Sequence, residues 1–472
     1  MASSDIPILG TDDLLRPPQS EPEPQQRLEA EHTVTTTYTL KERTYQQQFS
    51  DIYFLRLAKL KPAVEEVAAT TWDSVSVDRV LDVRQGEICW VTGTVYMDMP
   101  LKPNILDDIS KDHWIAAPPA RLKYTDSTND QIMLEDESGR IRLCGGAIIS
   151  EMLVTGCVIS VMGSETVDGD FEVIDVAFPG LPPQILAKSP KVTKAEGGKY
   201  VAIVSGLKIS GELHESFETH LLVEYLIGEL TGPQDQSSAS KITRLILAGN
   251  SLSDASPLST TREDTTSKTK FKKYGYDSSA YNPLPITALD NLLSSLLSSI
   301  PVDLMPGDTD PANVSLPQQP IHPTMFPQSK AFLGSTFNSV TNPYECDIGG
   351  VNFVGTSGQT IDDIYKYVEG DDRLAMMERT LSWRHVAPTC PDTLWSYPFQ
   401  NIDPFVLEKC PEVYFVGNQP RFETCLVEGS KGQRCRMVAV PKFAETGEVV
   451  LVDLETLGCE VVRICVEGPR RE

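Results

Sequence analysis

The feature that most constrains the fold of this chain is a series of short, almost uninterrupted apolar runs in its carboxyl-terminal part. They include YVAIV, RLILA, VDLM, VNFV and VYFV, with helical patterns at residues 217–230, 289–297 and 373–384. Strands have such continuous apolar sequences when helices cover both faces of their sheet. The pattern predicts an α/β domain over residues 195–472, interrupted by a flexible polar loop at 253–281.

Several of these strands end in a glycine next to a polar residue. In an open α/β sheet, binding sites form at the carboxyl ends of the strands, so a series of such ends predicts one shared crevice. Taken singly, each pair is more often a turn than a site. The pairs are Ser205-Gly206, Gly249-Asn250, Gly307-Asp308 and Gly417-Asn418.

The hydrophobic period is different in the preceding region. Between about 85 and 180, segments such as ICWVTGTVYM and QIMLEDESGRIRLCG contain short strands joined by turns, for example at Glu137–Gly139 and Asp168–Asp170. Several short strands within about 100 residues favour a small closed barrel. We therefore predict an OB-like β-barrel over residues 76–185, giving a multi-domain chain that is α+β and α/β.

The amino-terminal part divides into two segments by composition. Residues 1–35 are rich in Pro, Glu, Gln and Ser with few aromatics, which predicts a disordered tail. Residues 36–75 are predicted to be a helical segment that docks on a neighbouring domain, because apolar residues recur at helical spacing from about Thr44. Those residues are Tyr45, Phe49, Ile52, Tyr53 and Leu60.

Charge and cysteine usage exclude several classes of function. The formal net charge of −25 repels a polyphosphate backbone, so tight nucleic-acid binding is not expected. The ten cysteines include no Cys-x-x-Cys pair, which disfavours structural zinc and a disulfide framework. No apolar stretch is long enough to span a membrane, and the first residues do not resemble a secretory signal, so we expect an intracellular protein.

The order of the strand ends resembles that of the calcineurin-like metallophosphoesterases. That family carries, in sequence, Asp-x-His, Gly-Asp, Gly-Asn-His-Asp/Glu, a lone His and Gly-His-x-His, which hold two divalent metals. Here most of these positions carry neutral side chains, and too few ligands remain to offset the dehydration of two dications. The resemblance thus implies an α/β sandwich without catalytic or metal-binding residues. Its degenerate site comprises Ser205, Asn250, Asp308, Asp310, His385 and Asn418.

A barrel followed by a degenerate phosphoesterase resembles the small accessory subunits of the eukaryotic replicative DNA polymerases. The resemblance extends from about residue 40 to the carboxyl terminus. The motifs that carry it are ERTYQQQF, RLILAGN, VDLMPGDTDPAN, LPQQPIHPTMFPQ, VTNPYE, GTSGQ, HVAPTCPDTLWSYPF and YFVGNQP.

The resemblance implies a nuclear, non-catalytic scaffold without a cofactor, which supports DNA replication and repair synthesis. It implies two direct partners, the C-terminal cysteine-rich module of the polymerase catalytic subunit and a third subunit. Through them the chain would act near the sliding clamp and primer-template DNA, away from any membrane.

Two alternatives remain open. An active metallophosphoesterase would need Asp308, Asp310 and His385 to recruit ligands from elsewhere. A single-strand-binding OB protein would need basic residues interleaved with aromatics such as Trp90 and Tyr96, and the sequence has none adjacent to them.

Overall fold

The computed structural model describes residues 25–103 except 45 and 47, and residues 122–184, 198–211, 216–230, 233–253 and 282–465. Residues 1–24 of the predicted tail and residues 254–281 of the predicted flexible loop lie outside the described residues. None of the helices within these ranges is long and apolar enough to span a membrane.

Residues 25–44 form an extended segment, which we call the N-terminal strap. Its strand β1 (His32–Val34) pairs antiparallel with the strand at Tyr344–Ile348. The Arg27 guanidinium donates hydrogen bonds to three backbone carbonyls, those of Leu226, Ala239 and Ile242. Residues 25–35, which were predicted to belong to a disordered tail, are instead held in place, because this segment bonds to partners about 200 to 300 residues away that composition does not reveal.

The predicted helical segment contains one long helix, α1 (Asp51–Thr71). The helix begins later than the periodicity suggested, because the Thr44 carbonyl, which a helix would pair with an N–H four residues on, accepts from the Tyr397 hydroxyl (2.8 Å). Its packing against the barrel confirms the predicted docking. The side chains that α1 buries are Ile52, Arg56, Leu57, Leu60, Val64 and Ala68.

The strands of the second region close into a barrel. They are β2 (Val75–Val77), β3 (Cys89–Asp98), β4 (Gln131–Glu135), β5 (Arg140–Cys144), β6 (Val158–Glu165) and β7 (Phe171–Ala177), with the short helix α2 (Gly146–Ile149) after β5. The order is β2-β3-β4-β5-β7-β6, and a further pairing of β3 with β6 closes the ring. The five strands β3 to β7, closed in this order with a helix after the third, have the OB topology.

Strand β3 is buried along nearly its whole length, although a barrel strand normally exposes alternate residues. Its outward side chains are covered by α1. The Trp90 ring on β3 lies 6.3 Å from the ring of Trp72 at the end of α1. The barrel and α1 therefore form one packed unit.

The third region, together with β1 of the strap, forms two six-stranded sheets with helices. Its elements are β8 (Tyr200–Val204), α3 (Phe217–Ile227), α4 (Pro233–Ser240), β9 (Ile242–Ala248), α5 (Leu284–Leu297), β10 (Val302–Met305), β11 (Phe337–Ser339), β12 (Tyr344–Ile348), β13 (Val351–Thr356), α6 (Gln359–Tyr367), α7 (Arg373–Ser382), β14 (Val413–Gln419), β15 (Glu423–Glu428), β16 (Arg434–Pro441), α8 (Phe443–Thr446), β17 (Glu448–Asp453) and β18 (Cys459–Arg463). Short 3-10 helices occur at Val80–Asp82, Pro323–Met325 and Ser329–Phe332.

The two sheets pack face to face and bury a shared core. One sheet has the order β1-β12-β13-β14-β16-β15, and the other has the order β11-β10-β9-β8-β17-β18. Ile246 and Met305 of the second sheet meet Phe353 and Phe415 of the first in this core. Helices α3 and α5 cover the outer face of the second sheet. Helices α6 and α7 cover the first sheet and share a core with the barrel, so the barrel and the sandwich are continuous.

Candidate functional site

Four of the six predicted site residues lie together where β8, β9, β10 and β14 end. The Asn418 backbone N–H donates to the Ser205 hydroxyl (2.8 Å), and the Asn418 side-chain amide reaches the Ala248 carbonyl at the end of β9 (3.4 Å). The carboxylate of Asp310 accepts hydrogen bonds from the loop that follows Asn250. The ends of the two sheets thus meet in one polar region.

Two predicted residues are separate from this group. Asp308 is exposed to solvent. His385 is buried and donates its Nε2 proton to Asp403 (2.9 Å), away from the strand ends. The structure therefore brings together Ser205, Asn250, Asp310 and Asn418 and leaves Asp308 and His385 outside.

The backbone at the strand ends explains why asparagine and glycine recur there. Asn250 and Asn418 have φ angles of 53° and 56°, the left-handed region that asparagine tolerates better than most residues. A Cβ at Gly206 would lie 2.7 Å from the Oδ1 atom of Asn418, and one at Gly307 would lie 2.1 Å from the Oδ1 atom of Asn250. The region is therefore closely packed, and these glycines and asparagines have a local conformational reason to be there.

Asp310 acts as a clamp between two loops. Its carboxylate accepts the backbone N–H groups of Ser251 (3.3 Å), Leu252 (2.9 Å) and Gly307 (2.8 Å). Burial raises the pKa of Asp310 to about 6, although these hydrogen bonds favour the charged form. The hydrogen bonds of this carboxylate are thus used to hold backbone together.

A network of side-chain amides continues from the clamp. The Asn342 Nδ2 atom, which carries two hydrogens, lies within hydrogen-bond distance of three acceptors, on Gln318 (2.8 Å), Ser357 (2.7 Å) and Gln359 (3.0 Å). The backbone N–H of Ser357 donates in return to the side-chain Oδ1 atom of Asn342 (3.1 Å). Sequence reasoning did not assign these four residues, although they lie in the motifs LPQQPIHP, VTNPYE and GTSGQ. We call the following eight residues the strand-end cluster: Ser205, Asn250, Asp310, Gln318, Asn342, Ser357, Gln359 and Asn418.

His385 belongs instead to an interdomain charge cluster, which we define as Arg56, His385 and Asp403. The Arg56 guanidinium is fully buried and binds the Asp403 carboxylate (2.9 Å). Its other nitrogens donate to the carbonyls of Gly156 (3.2 Å), Pro388 (2.7 Å) and Cys390 (2.8 Å). One side chain of α1 therefore connects the barrel to the sandwich.

The charge states in this second cluster follow from its geometry. The Ala387 backbone N–H donates to Nδ1 of His385 (3.2 Å), so that nitrogen carries no proton. Burial and the Arg56 guanidinium lower the pKa of His385 to about 4, outweighing Asp403. Burial alone would raise the pKa of Asp403, but His385 and Arg56 hold it well below its usual range. At neutral pH the cluster is a buried ion pair with a neutral imidazole.

The donor set of the strand-end cluster does not suit divalent metals. Its side chains are amides and hydroxyls apart from Asp310, whereas Mg²⁺, Mn²⁺ and Zn²⁺ sites use several carboxylates or imidazoles. In the parts of the chain that the structure describes, no group of three or more His, Cys, Asp or Glu residues is placed to hold a metal ion.

The charged neighbours of Tyr96 on the barrel differ from those that its adjacent residues in the sequence suggested. Folding places two cations over the Tyr96 ring, the Lys102 ammonium at 4.7 Å and the Arg140 guanidinium at 4.2 Å. Each cation also binds a carboxylate, since Lys102 pairs with Asp392 (2.5 Å) and Arg140 with Glu135 (2.7 Å). Tyr96 therefore has basic neighbours, but these cations already lie over its ring, and carboxylates neutralise their charge.

Comparison with known families matches both regions in the order found in the structure. Residues 48–176 match the DNA polymerase delta subunit OB-fold domain, which confirms the predicted barrel class. Residues 201–424 match the family of the B subunit of DNA polymerase alpha/epsilon. The chain thus has the domain composition of a polymerase accessory subunit of this kind.

Similarity to individual proteins extends over nearly the whole chain. The DNA polymerase delta small subunit of Oryza sativa subsp. japonica is 40% identical over 439 residues, covering 93% of this chain and 98% of that protein. The Arabidopsis thaliana protein of that name is 40% identical and covers 89% of this chain and 92% of its own length. The one from Saccharomyces cerevisiae is 37% identical and covers 90% and 91%, respectively. The chain belongs to the DNA polymerase delta small subunit family.

Proposed function

We propose that this chain is a non-catalytic scaffold subunit of DNA polymerase delta that acts in the nucleus during DNA replication and repair synthesis. Its family membership supports a role in that polymerase. The observation that carries the non-catalytic part is the strand-end cluster, whose amides bond mainly to each other and to backbone.

The degenerate calcineurin-like site belongs to the same proposal. A face-to-face pair of sheets with polar strand ends is the arrangement that such a phosphoesterase would have. Ser205, Asn250 and Asn418 supply neutral groups there, and Asp310 is committed to three backbone N–H groups. A metal-activated water would need anionic ligands at these positions, so chemistry of that kind is disfavoured.

The proposed partners are the C-terminal cysteine-rich module of the polymerase delta catalytic subunit and a third polymerase delta subunit. The formal net charge of −25 favours partners with basic surfaces over direct contact with DNA. Through these partners the chain would be connected indirectly to the sliding clamp and primer-template DNA.

The test is co-expression of the full chain with the cysteine-rich module of a polymerase delta catalytic subunit, followed by size-exclusion chromatography. We expect co-elution at one-to-one stoichiometry. Separate elution of two folded proteins would contradict the scaffold role. The purified chain should also fail to hydrolyse a generic phosphodiester with manganese, and hydrolysis that is lost in Asp310→Ala would contradict the non-catalytic role.

A further inference from the structure

A groove of about 340 Å³ lies where the start of α1 crosses the barrel. Its apolar floor includes Leu57 and Val95, both buried, and its rim includes Tyr53, Phe54 and Tyr96. This volume is at the small end of the roughly 300–1,000 Å³ typical of ligand pockets. It can accept one or two inserted side chains, but not a packed helix.

The rim carries an exposed aromatic side chain on a rigid support. Phe54 is 56% exposed, although its neighbours in α1, Ile52 and Leu57, are buried. Arg56 on the same helix is held by Asp403 and by backbone carbonyls of the barrel and the sandwich, so α1 cannot turn to bury Phe54. Large exposed aromatics beside apolar pockets are typical anchors of protein interfaces.

The charges around the groove select the chemistry of the partner. Three carboxylates line it, those of Glu135, Asp136 and Asp392, against the single lining guanidinium of Arg140. Lys102 lies next to Asp392 and reduces the acidic excess, but does not reverse it. An acidic groove attracts cationic segments and repels phosphates.

The position of the groove on the barrel raises the question of whether it binds nucleic acid or protein. OB folds commonly bind oligonucleotides on the face formed by their second and third strands, here β4 and β5, and the groove includes Glu135 at the end of β4 and Arg140 at the start of β5. Cations cover the Tyr96 ring, and the exposed Phe54 ring lies beside the carboxylates of the groove, which repel the phosphates of a stacked nucleotide. The groove is therefore better suited to a protein segment than to nucleic acid.

We infer that this groove is a docking site for a basic protein segment that inserts an apolar side chain beside Phe54. The inference rests on the proposed function, because the expected owner of that segment is another subunit of the polymerase. The groove has three carboxylates against two cations, so its net negative charge would attract flanking Lys or Arg side chains of the segment, while Phe54 and Leu57 contact the inserted group.

The experiment measures affinity of the full chain for the catalytic subunit's cysteine-rich module and for the third subunit, separately, by isothermal titration calorimetry. Phe54→Ala should weaken binding of one of the two by about tenfold, and Phe54→Arg should weaken it further by repelling the cationic segment. Binding of that partner by the wild type should also weaken as salt rises from about 50 to about 300 mM.

Phe217→Ala is the matched control, because Phe217 is 60% exposed on α3, which covers the second sheet far from the barrel core. It should bind both partners within about twofold of wild type, since surface truncations away from an interface have small effects. The Phe54 variants and this control should keep the wild-type melting temperature, which separates lost docking from lost folding.

Three results would overturn the inference. If the wild type binds a partner and both Phe54 variants bind equally well, the groove is not the docking site and the scaffold role stands. If the wild type binds neither partner, the proposed function fails and the docking site fails with it. If a single-stranded oligonucleotide binds to the chain and Phe54→Ala abolishes this, the occupant is nucleic acid.

Discussion

The strand-end cluster and the interdomain charge cluster are both buried and polar, but they are built from different groups. The first uses amides and hydroxyls with one carboxylate, and its hydrogen bonds join the loops of one domain. The second contains a charged guanidinium–carboxylate ion pair and joins α1, the barrel and the sandwich. Buried charge thus holds domains together, whereas mainly neutral groups join the loops at the strand ends.

The largest effect should come from breaking the interdomain pair. Arg56→Met keeps most of the side-chain volume but leaves Asp403 buried without its guanidinium partner and removes the donors to three carbonyls. Removing one partner of a buried ion pair costs about 3–5 kcal/mol. Urea unfolding followed by far-UV circular dichroism should show a loss of that size.

Lys59→Met is the matched control on the same helix. Lys59 pairs with Glu408 at 2.7 Å, but both side chains are more than half exposed. Such surface pairs contribute about 0–1 kcal/mol, so the control should be nearly as stable as wild type. Equal losses in Arg56→Met and Lys59→Met would show that the buried pair does not connect the domains.

The two clusters should respond to acid in opposite directions. The pKa of His385 is lowered to about 4, so its contribution to stability is present above its unfolded pKa of about 6.5 and is lost as pH falls towards 4. The pKa of Asp310 is raised to about 6, so its contribution is present below its unfolded pKa of 3.8 and is lost as pH rises through 6. Between pH 4 and 6 these contributions oppose each other.

Variants separate the two contributions. Between pH 7 and about pH 4.5, the free energy of unfolding of His385→Gln should rise by about 2 kcal/mol relative to that of the wild type. Over the same range, the free energy of unfolding of Asp310→Asn should fall by about 2 kcal/mol relative to that of the wild type. The measurement is the free energy of unfolding in urea at both pH values. If the stability of both variants depends on pH in the same way as that of the wild type, neither group has the shifted pKa that its burial implies.

The smallest effect concerns function. Asp310→Ala leaves three backbone N–H groups without an acceptor, which should cost about 1–3 kcal/mol of stability. The DNA-synthesis rate of the assembled polymerase should nevertheless stay within about twofold, because the Asp310 carboxylate is already engaged by backbone N–H groups. Asp308→Ala, at an exposed position two residues earlier, is the control and should change neither quantity. Loss of synthesis in a complex that still assembles would assign chemistry to Asp310.

Local patterns were sufficient wherever burial alone decided the structure. The continuous apolar runs became β8, β9, β10, β13 and β14 in the two sheets, and the helix expected over 373–384 is present as α7 (Arg373–Ser382). The barrel region also followed from alternation and turn residues. These features are readable because one strand or helix already contains the period that sets which of its faces is buried.

Other features were outside the reach of local patterns. The start of α1 was placed too early, and β1 lies in residues that were predicted to be disordered, because the strap from Arg27 to Thr44 is held by distant carbonyls and by Tyr397. His385 was grouped with the strand ends because of its order in the chain, whereas its partner is Asp403. The basic neighbours of Tyr96 were also missed, since Lys102 and Arg140 reach it only after folding.

The amino-acid sequence by itself determined the family, the two domain classes and the neutral character of the strand ends, because those depend on which residues are present and in what order. Only the tertiary structure decided that Asp310 is a backbone clamp, that Gln318, Asn342, Ser357 and Gln359 form a network, and that Arg56 joins the domains. The physical reason is that a hydrogen bond or ion pair depends on distance and direction within a few ångströms, and its partners here come from segments up to hundreds of residues apart.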